Sequence, residues 1–156
     1  MADQSSSRQL SINAFFFQEI KDDQIELAGI MARLVELAAV PAVLLGHPRE
    51  FCDRLAALRD QLALHFALEE AYGYFDEAIE SAPRLHVDAS RLRGQHAPLY
   101  QEATTLVERA LEATHEDQLH DAAQQFLDFK RRFEEHEAAE RTLIFTAIHQ
   151  DIGVGD

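Results

Sequence analysis

The sequence predicts an all-α protein, an up-down-up-down four-helix bundle in which one helical hairpin is used twice. Apolar residues recur at spacings of three and four along most of the chain, and the few glycines and prolines fall between those segments. No segment shows the alternation of apolar and polar residues that a strand requires. At 156 residues the chain suits one domain. We expect the bundle to span residues 12–150, with disordered tails at 1–11 and 151–156.

The interruptions in the apolar pattern set the ends of the four predicted helices. Ser11 is a candidate N-cap for the first helix, which Pro41 closes. Pro83 follows the second helix, and the run 114–117 (THED) resembles a capping box that opens the fourth. The four helices are expected at about residues 12–39, 48–80, 88–113 and 114–149.

Pro98 lies inside the third predicted helix and allows two interpretations. In the first, the proline kinks the helix beside His96, and Gly94 relieves the clash of the proline ring with the preceding turn. In the second, the regular helix begins near Gln95, which places Pro98 in its first turn. The sequence leaves both open.

Charge and cysteine content exclude several classes of protein. Fourteen basic against 28 acidic residues give a net charge of −14, which repels nucleic acid and anionic membranes. The single cysteine, Cys52, excludes an intrachain disulfide and a cysteine-rich metal site. No apolar run approaches the roughly 20 residues of a membrane span, and the N-terminus lacks the order of a signal peptide. We therefore predict a cytoplasmic protein without a nucleic-acid or membrane partner.

Histidine and glutamate interrupt the apolar stripes at matching places. His65 and Glu69 lie four residues apart, on one face of the second helix. The same pair recurs 71 residues later as His136 and Glu140 in the fourth helix. His96 lies in the stripe of the third helix, and Gln24 is its counterpart in the first. The second stripe reads Phe51, Leu55, Leu58, Leu62, His65, Glu69, and the fourth repeats it as Ala122, Phe126, Phe129, Phe133, His136, Glu140.

These polar residues are candidate metal ligands. A buried polar group is costly unless it is hydrogen-bonded, paired or bound to a metal. One buried His–Glu pair alone is more often hydrogen-bonded, but the repetition of the pair favours a metal. Nitrogen and oxygen ligands without sulfur suit iron or manganese, with zinc as an alternative. The spacing differs from the HExxH of zinc proteases and from the Glu-x-x-His of ferritin-like bundles.

The order of these residues resembles the hemerythrin-like, or HHE cation-binding, domain family. The resemblance extends from about residue 15 to 149, and the runs HFALEE (65–70), RGQHAPL (93–99) and FEEHEAAERTLIF (133–145) carry it. It implies a non-haem di-iron centre with histidines on each iron and the two glutamates as bridges. It also implies an open iron position for O2 or a related small oxidant such as peroxide.

The chain departs from this family at Gln24, where a histidine is expected. Asp23 and Leu27 match the family's neighbouring residues, so the alignment holds and the ligand itself has changed. Gln24 then binds weakly through its amide oxygen, or Asp23 or Glu19 supplies a carboxylate, or one metal is lost. We expect a retained two-metal site with altered ligation and Gln24 or Asp23 as the candidate sixth ligand.

Three functions follow from these alternatives. The leading prediction is an iron protein that binds or senses O2, another small oxidant or iron itself, and is not a classical enzyme. The second is a redox enzyme acting on peroxide or Fe(II), which a carboxylate in place of the missing histidine would favour. The third is a degenerate bundle with one metal or none.

Overall fold

The computed structural model describes residues 3–71 and 83–153, and within these ranges the chain is helical apart from short connections and forms no strand. The prediction of an all-α protein is confirmed. A single turn of 3₁₀ helix, Pro83–Leu85, precedes the helix that begins at His86. The helices are α1 (Asp3–Ala39), α2 (Pro41–Gly46), α3 (Pro48–Glu70), α4 (His86–Arg93), α5 (His96–Glu112) and α6 (Glu116–Gly153). None of these described helices combines the length and the apolarity needed to cross a bilayer.

Several helix ends differ from the predicted ones. α1 begins at Asp3, so the predicted start at Ile12 with Ser11 as N-cap is wrong. Residues 3–12 contain neither glycine nor proline, and nothing in them stops a helix. α3 ends at Glu70, well before the predicted end near residue 80, because Ala71 adopts an extended backbone. The remaining residues of that predicted helix, 72–80, lie outside the described part of the chain.

The start of α6 uses a different cap from the predicted one. The side chain of Gln118 accepts hydrogen bonds from the backbone N–H groups of Thr114, at 2.8 Å, and His115, at 3.3 Å. Gln118, the third residue of α6, therefore accepts from backbone N–H groups that precede the helix. This is one of the two hydrogen bonds of a capping box, formed one residue later in the chain than the sequence predicts.

The third predicted helix is divided into α4 and α5 by a turn at Gly94 and Gln95. Gln95 N–H donates to Leu92 O at 3.0 Å, which closes α4, and α5 begins at His96. Pro98 is thus the third residue of α5, where its missing N–H would have no helical partner in any case. Of the two interpretations of Pro98, the one with a helix start near Gln95 is correct.

The helices pack in a closed circuit around an apolar interior. α1 contacts α3, α3 contacts α5, α5 contacts α6, and α6 contacts α1, an arrangement compatible with a four-helix bundle. The interior of this circuit is aromatic and aliphatic, with Phe51, Phe126 and Phe129 fully buried. A smaller apolar cluster of Ala89, Leu92 and Leu143 lies further along the bundle. The polar residues of the stripes lie between these two apolar clusters.

Candidate metal centre

Six polar side chains are buried in the described part of the chain, and all six converge on one region. Five are the histidines and glutamates that the stripes singled out, and the sixth is the candidate ligand from α1. Their exposed fractions do not exceed 8%. They are Asp23, His65, Glu69, His96, His136 and Glu140.

His65 lies between carboxylates on both sides of its ring. Its Nδ1 donates to Asp23 Oδ2 at 2.6 Å. Its Nε2 lies 2.7 Å from Glu69 Oε1 and 2.7 Å from Glu137 Oε1. The edge contact with Phe133, at 5.8 Å between ring centroids, fixes the ring plane.

His96 repeats this arrangement from the first residue of α5. Its Nδ1 donates to Glu70 Oε1 at 2.9 Å, and its Nε2 lies 2.9 Å from Glu69 Oε2 and 3.0 Å from Glu140 Oε1. Phe66 stacks on the ring at 4.2 Å. Glu69 therefore faces a different histidine with each of its two oxygens.

His136 differs from the other two in its outer partner. Its Nδ1 donates to the amide oxygen of Gln95 at 2.8 Å. The turn that separates α4 from α5 is what places Gln95 here. The Nε2 lies 2.7 Å from Glu140 Oε1 but makes no hydrogen bond to it, since the direction is unsuitable. Glu69 Oε2 is likewise buried without a hydrogen-bond partner.

The three histidines thus share one orientation. Each Nδ1 donates to a side-chain oxygen, of Asp23, Glu70 or Gln95. Each Nε2 lies within 3.0 Å of a carboxylate oxygen of Glu69 or Glu140. Protein metal sites have the same construction, because a hydrogen bond from one ring nitrogen orients the other nitrogen toward the metal. For His65 and His96, either a proton or a cation must lie between Nε2 and the carboxylates that it faces.

Without a metal, the proton takes that place. Burial lowers the pKa of His65, but its hydrogen bonds with Asp23, Glu137 and Glu69 outweigh burial and raise that pKa to about 12. Burial also lowers the pKa of His96, but its carboxylate partners outweigh burial and raise that pKa to about 10. Burial acts to raise the pKa of Glu69, yet the two histidines that face its carboxylate bring that pKa well below its usual range.

Two overlapping groups of side chains could each hold a metal ion. In each group the ligand atoms lie within 4.8 Å of one another. Glu69 belongs to both groups. The first group is Glu69, His96, His136 and Glu140, and the second is His65, Glu69 and Glu137.

Glu137 is the residue that the sequence analysis missed. It is 20% exposed, and burial raises the pKa of its carboxyl group. A signal was present, because Glu137 follows the buried Phe133 by four residues and precedes Glu140 by three. Glu137 was overlooked because it directly follows His136, which was already a candidate ligand.

The α1 candidates lie in different places. Gln24 is exposed, and it lines a cavity beside the cluster. Asp23 holds His65 with one oxygen, while its other oxygen accepts from Gln61 at 2.7 Å. Glu19 is half-buried and belongs to neither group.

The cavity beside the cluster is small. It encloses about 70 Å³ and is lined by Asp23, Gln24, His65, Glu69, Glu137 and Glu140 among others. That volume holds several water-sized molecules but is far below the roughly 300–1,000 Å³ of sites for organic ligands. A wider groove of about 400 Å³ adjoins Gln95 and His136 between α5 and α6, and neither Glu69 nor Glu137 lines it.

Comparisons of this chain with protein-family models, with curated proteins and with solved structures found no match.

Proposed function

We propose that this protein is a hemerythrin-like four-helix bundle that binds two iron ions between α1, α3, α5 and α6 and takes up O2 or a related small oxidant. The supporting observation is the shared orientation of His65, His96 and His136. Each donates Nδ1–H outward, and each presents Nε2 to Glu69 or Glu140.

The residues fit a bound cation. His136 Nε2 and Glu69 Oε2 are both buried without a hydrogen-bond partner, and a cation would satisfy both atoms. Imidazole nitrogen and carboxylate oxygen without thiolate suit iron or manganese. Iron is the choice that the hemerythrin-like pattern of histidines and glutamates favours.

The charge of the cluster supports two cations. The carboxylates of Asp23, Glu69, Glu137 and Glu140 lie in or against the buried region. When the histidines are neutral ligands, these four groups carry four negative charges, which two divalent cations balance. One cation would leave two buried charges uncompensated, at a cost of several kcal/mol.

Each residue around the site has a definite task. Asp23, Glu70 and Gln95 orient the imidazoles, and Phe66 and Phe133 cover the rings and exclude water. Bound iron would supply an open coordination position and the redox change that oxygen chemistry needs. The cavity of about 70 Å³ admits a diatomic or peroxide-sized molecule to the His65 side of the cluster.

The test is the metal content of protein loaded anaerobically with Fe(II) and desalted. We expect close to two irons per chain in the wild type and close to none in the double variant His65→Ala/His136→Ala. His120→Ala is the matched control, because this exposed histidine lies on α6 away from the cluster. The proposal fails if the wild type retains no more iron than the double variant.

A second function, a redox enzyme acting on peroxide or Fe(II), is favoured by one observation. Glu137 places an additional carboxylate against His65, and carboxylates stabilise the higher oxidation state of iron. Steady-state consumption of peroxide, or continued oxidation of added Fe(II), by the iron-loaded protein separates this function from binding. A cytoplasmic location and the absence of a nucleic-acid partner remain predictions from composition.

A further inference from the structure

We propose that Glu137 is a terminal metal ligand at the position it shares with His65 and Glu69, in place of the imidazole that α1 lacks. This inference rests on the proposed two-metal function and assigns its second position. α1 contains no histidine, and Gln24, at the expected place, is exposed. The position must therefore be completed from another helix.

The location of the Glu137 carboxylate supports this assignment. Its Oε1 lies 2.7 Å from His65 Nε2, the same nitrogen that faces Glu69. All three side chains bring one donor atom within 4.8 Å of the others. On α6, Glu137 lies between the buried Phe133 and Glu140, so the backbone of a well-packed helix segment positions it.

Asp23 is not available for this role. One of its oxygens accepts from His65 Nδ1 and the other from Gln61 Nε2, so both are engaged. It also lies at the Nδ1 side of the His65 ring, away from the Nε2 that would bind the metal. To become a ligand, Asp23 would have to release the histidine that it orients.

The two metal positions consequently differ in their ligands. The His65 position has one imidazole with the carboxylates of Glu69 and Glu137, whereas the other position has the two imidazoles of His96 and His136 with the carboxylates of Glu69 and Glu140. Oxygen-rich positions suit harder cations such as Mn²⁺, and imidazole-rich positions bind Zn²⁺ well. The two positions should therefore load with different preferences.

The experiment compares metal content in Glu137→Gln and Glu135→Gln after loading with Fe(II) and desalting. The glutamine keeps the size of the side chain and removes the anionic ligand. Glu135 is the matched control, since it lies two residues away, is 65% exposed and pairs with Arg131. We expect iron to fall from about two to about one per chain in Glu137→Gln and to stay unchanged in Glu135→Gln.

Double variants identify the position that is lost. Adding His65→Ala to Glu137→Gln should cause no further loss, because both residues serve the same metal. Adding His136→Ala should remove the remaining iron. Circular dichroism checks that each variant keeps its helical content, and Glu137→Ala gives a second comparison if the glutamine variant does not fold.

The outcomes separate this inference from the proposed function. Two irons in the wild type and two in Glu137→Gln overturn the role of Glu137 and leave the two-metal function intact. No iron in the wild type overturns the function itself. Loss of both irons from Glu137→Gln overturns the assignment to one position.

Discussion

Asp23 is the residue whose replacement tests most directly how the site is built. It is 4% exposed, although it is an acid, and it holds His65 Nδ1 at 2.6 Å and Gln61 Nε2 at 2.7 Å. In our interpretation it does not touch the metal but fixes the tautomer and orientation of His65. Its replacement should therefore weaken metal binding at the His65 position without removing a ligand.

The size of the effect follows from these contacts. Asp23→Ala leaves the Nδ1–H of His65 without its acceptor, and an unsatisfied buried donor costs about 1–3 kcal/mol. Loss of such an outer partner typically lowers metal affinity by about 10–100-fold, which corresponds to about 1.4–2.7 kcal/mol. The two figures agree in magnitude.

Asp23→Asn separates charge from geometry. The asparagine oxygen still accepts from His65, and its amide N–H can donate to Gln61 once the Gln61 amide group rotates. Both hydrogen bonds survive without the negative charge. We expect a loss of about tenfold, smaller than in Asp23→Ala.

The assay is a competition titration against a chelator with Fe(II), with Asp22→Ala as the matched control. Asp22 is exposed, and its carboxylate accepts from Gln18 on the same helix, so its removal should leave the affinity unchanged. At saturating metal all variants should hold the same number of ions. Wild-type affinity in Asp23→Ala would refute the role of Asp23, and a lost ion would make Asp23 a ligand.

Three further predictions concern pH, packing and thiol reactivity. Because the pKa values of His65 and His96 are about 12 and about 10 without metal, binding at pH 7 must displace at least two protons. Affinity should therefore rise with pH, and a weakly buffered solution should acidify on metal addition; no acidification contradicts this. On α5, Leu106→Ala should lower the free energy of unfolding by about 2–5 kcal/mol, while Leu111→Ala should change it by less than about 0.5 kcal/mol. Leu106 is 2% exposed and Leu111 is 67% exposed, so equal effects in urea denaturation would contradict the described packing. Burial, aided by the charge of Asp53, raises the pKa of the Cys52 thiol, so iodoacetamide should modify it more slowly at pH 7 than in urea, and equal rates would contradict its burial.

The sequence determined the helices and the repeated pairs because both are local properties. Apolar spacing along one helix fixes which face is buried, and that face carried His65 with Glu69 and His136 with Glu140. These histidines and glutamates are buried because they continue the apolar faces of their helices, as His136 and Glu140 do after Phe133. The burial of His96 was predictable on the same ground.

The tertiary structure decided which residues complete the site. Glu137 meets His65 across 72 positions of sequence, and Gln95 meets His136 only because a turn interrupts the third predicted helix. Gln24 and Asp23 are adjacent in sequence, yet one is exposed and the other buried. A rotation of about 100° per residue separates neighbouring side chains on a helix. Which of them reaches the site therefore depends on how α1 is rotated against α3 and α6, and only the packing of all the helices fixes that rotation.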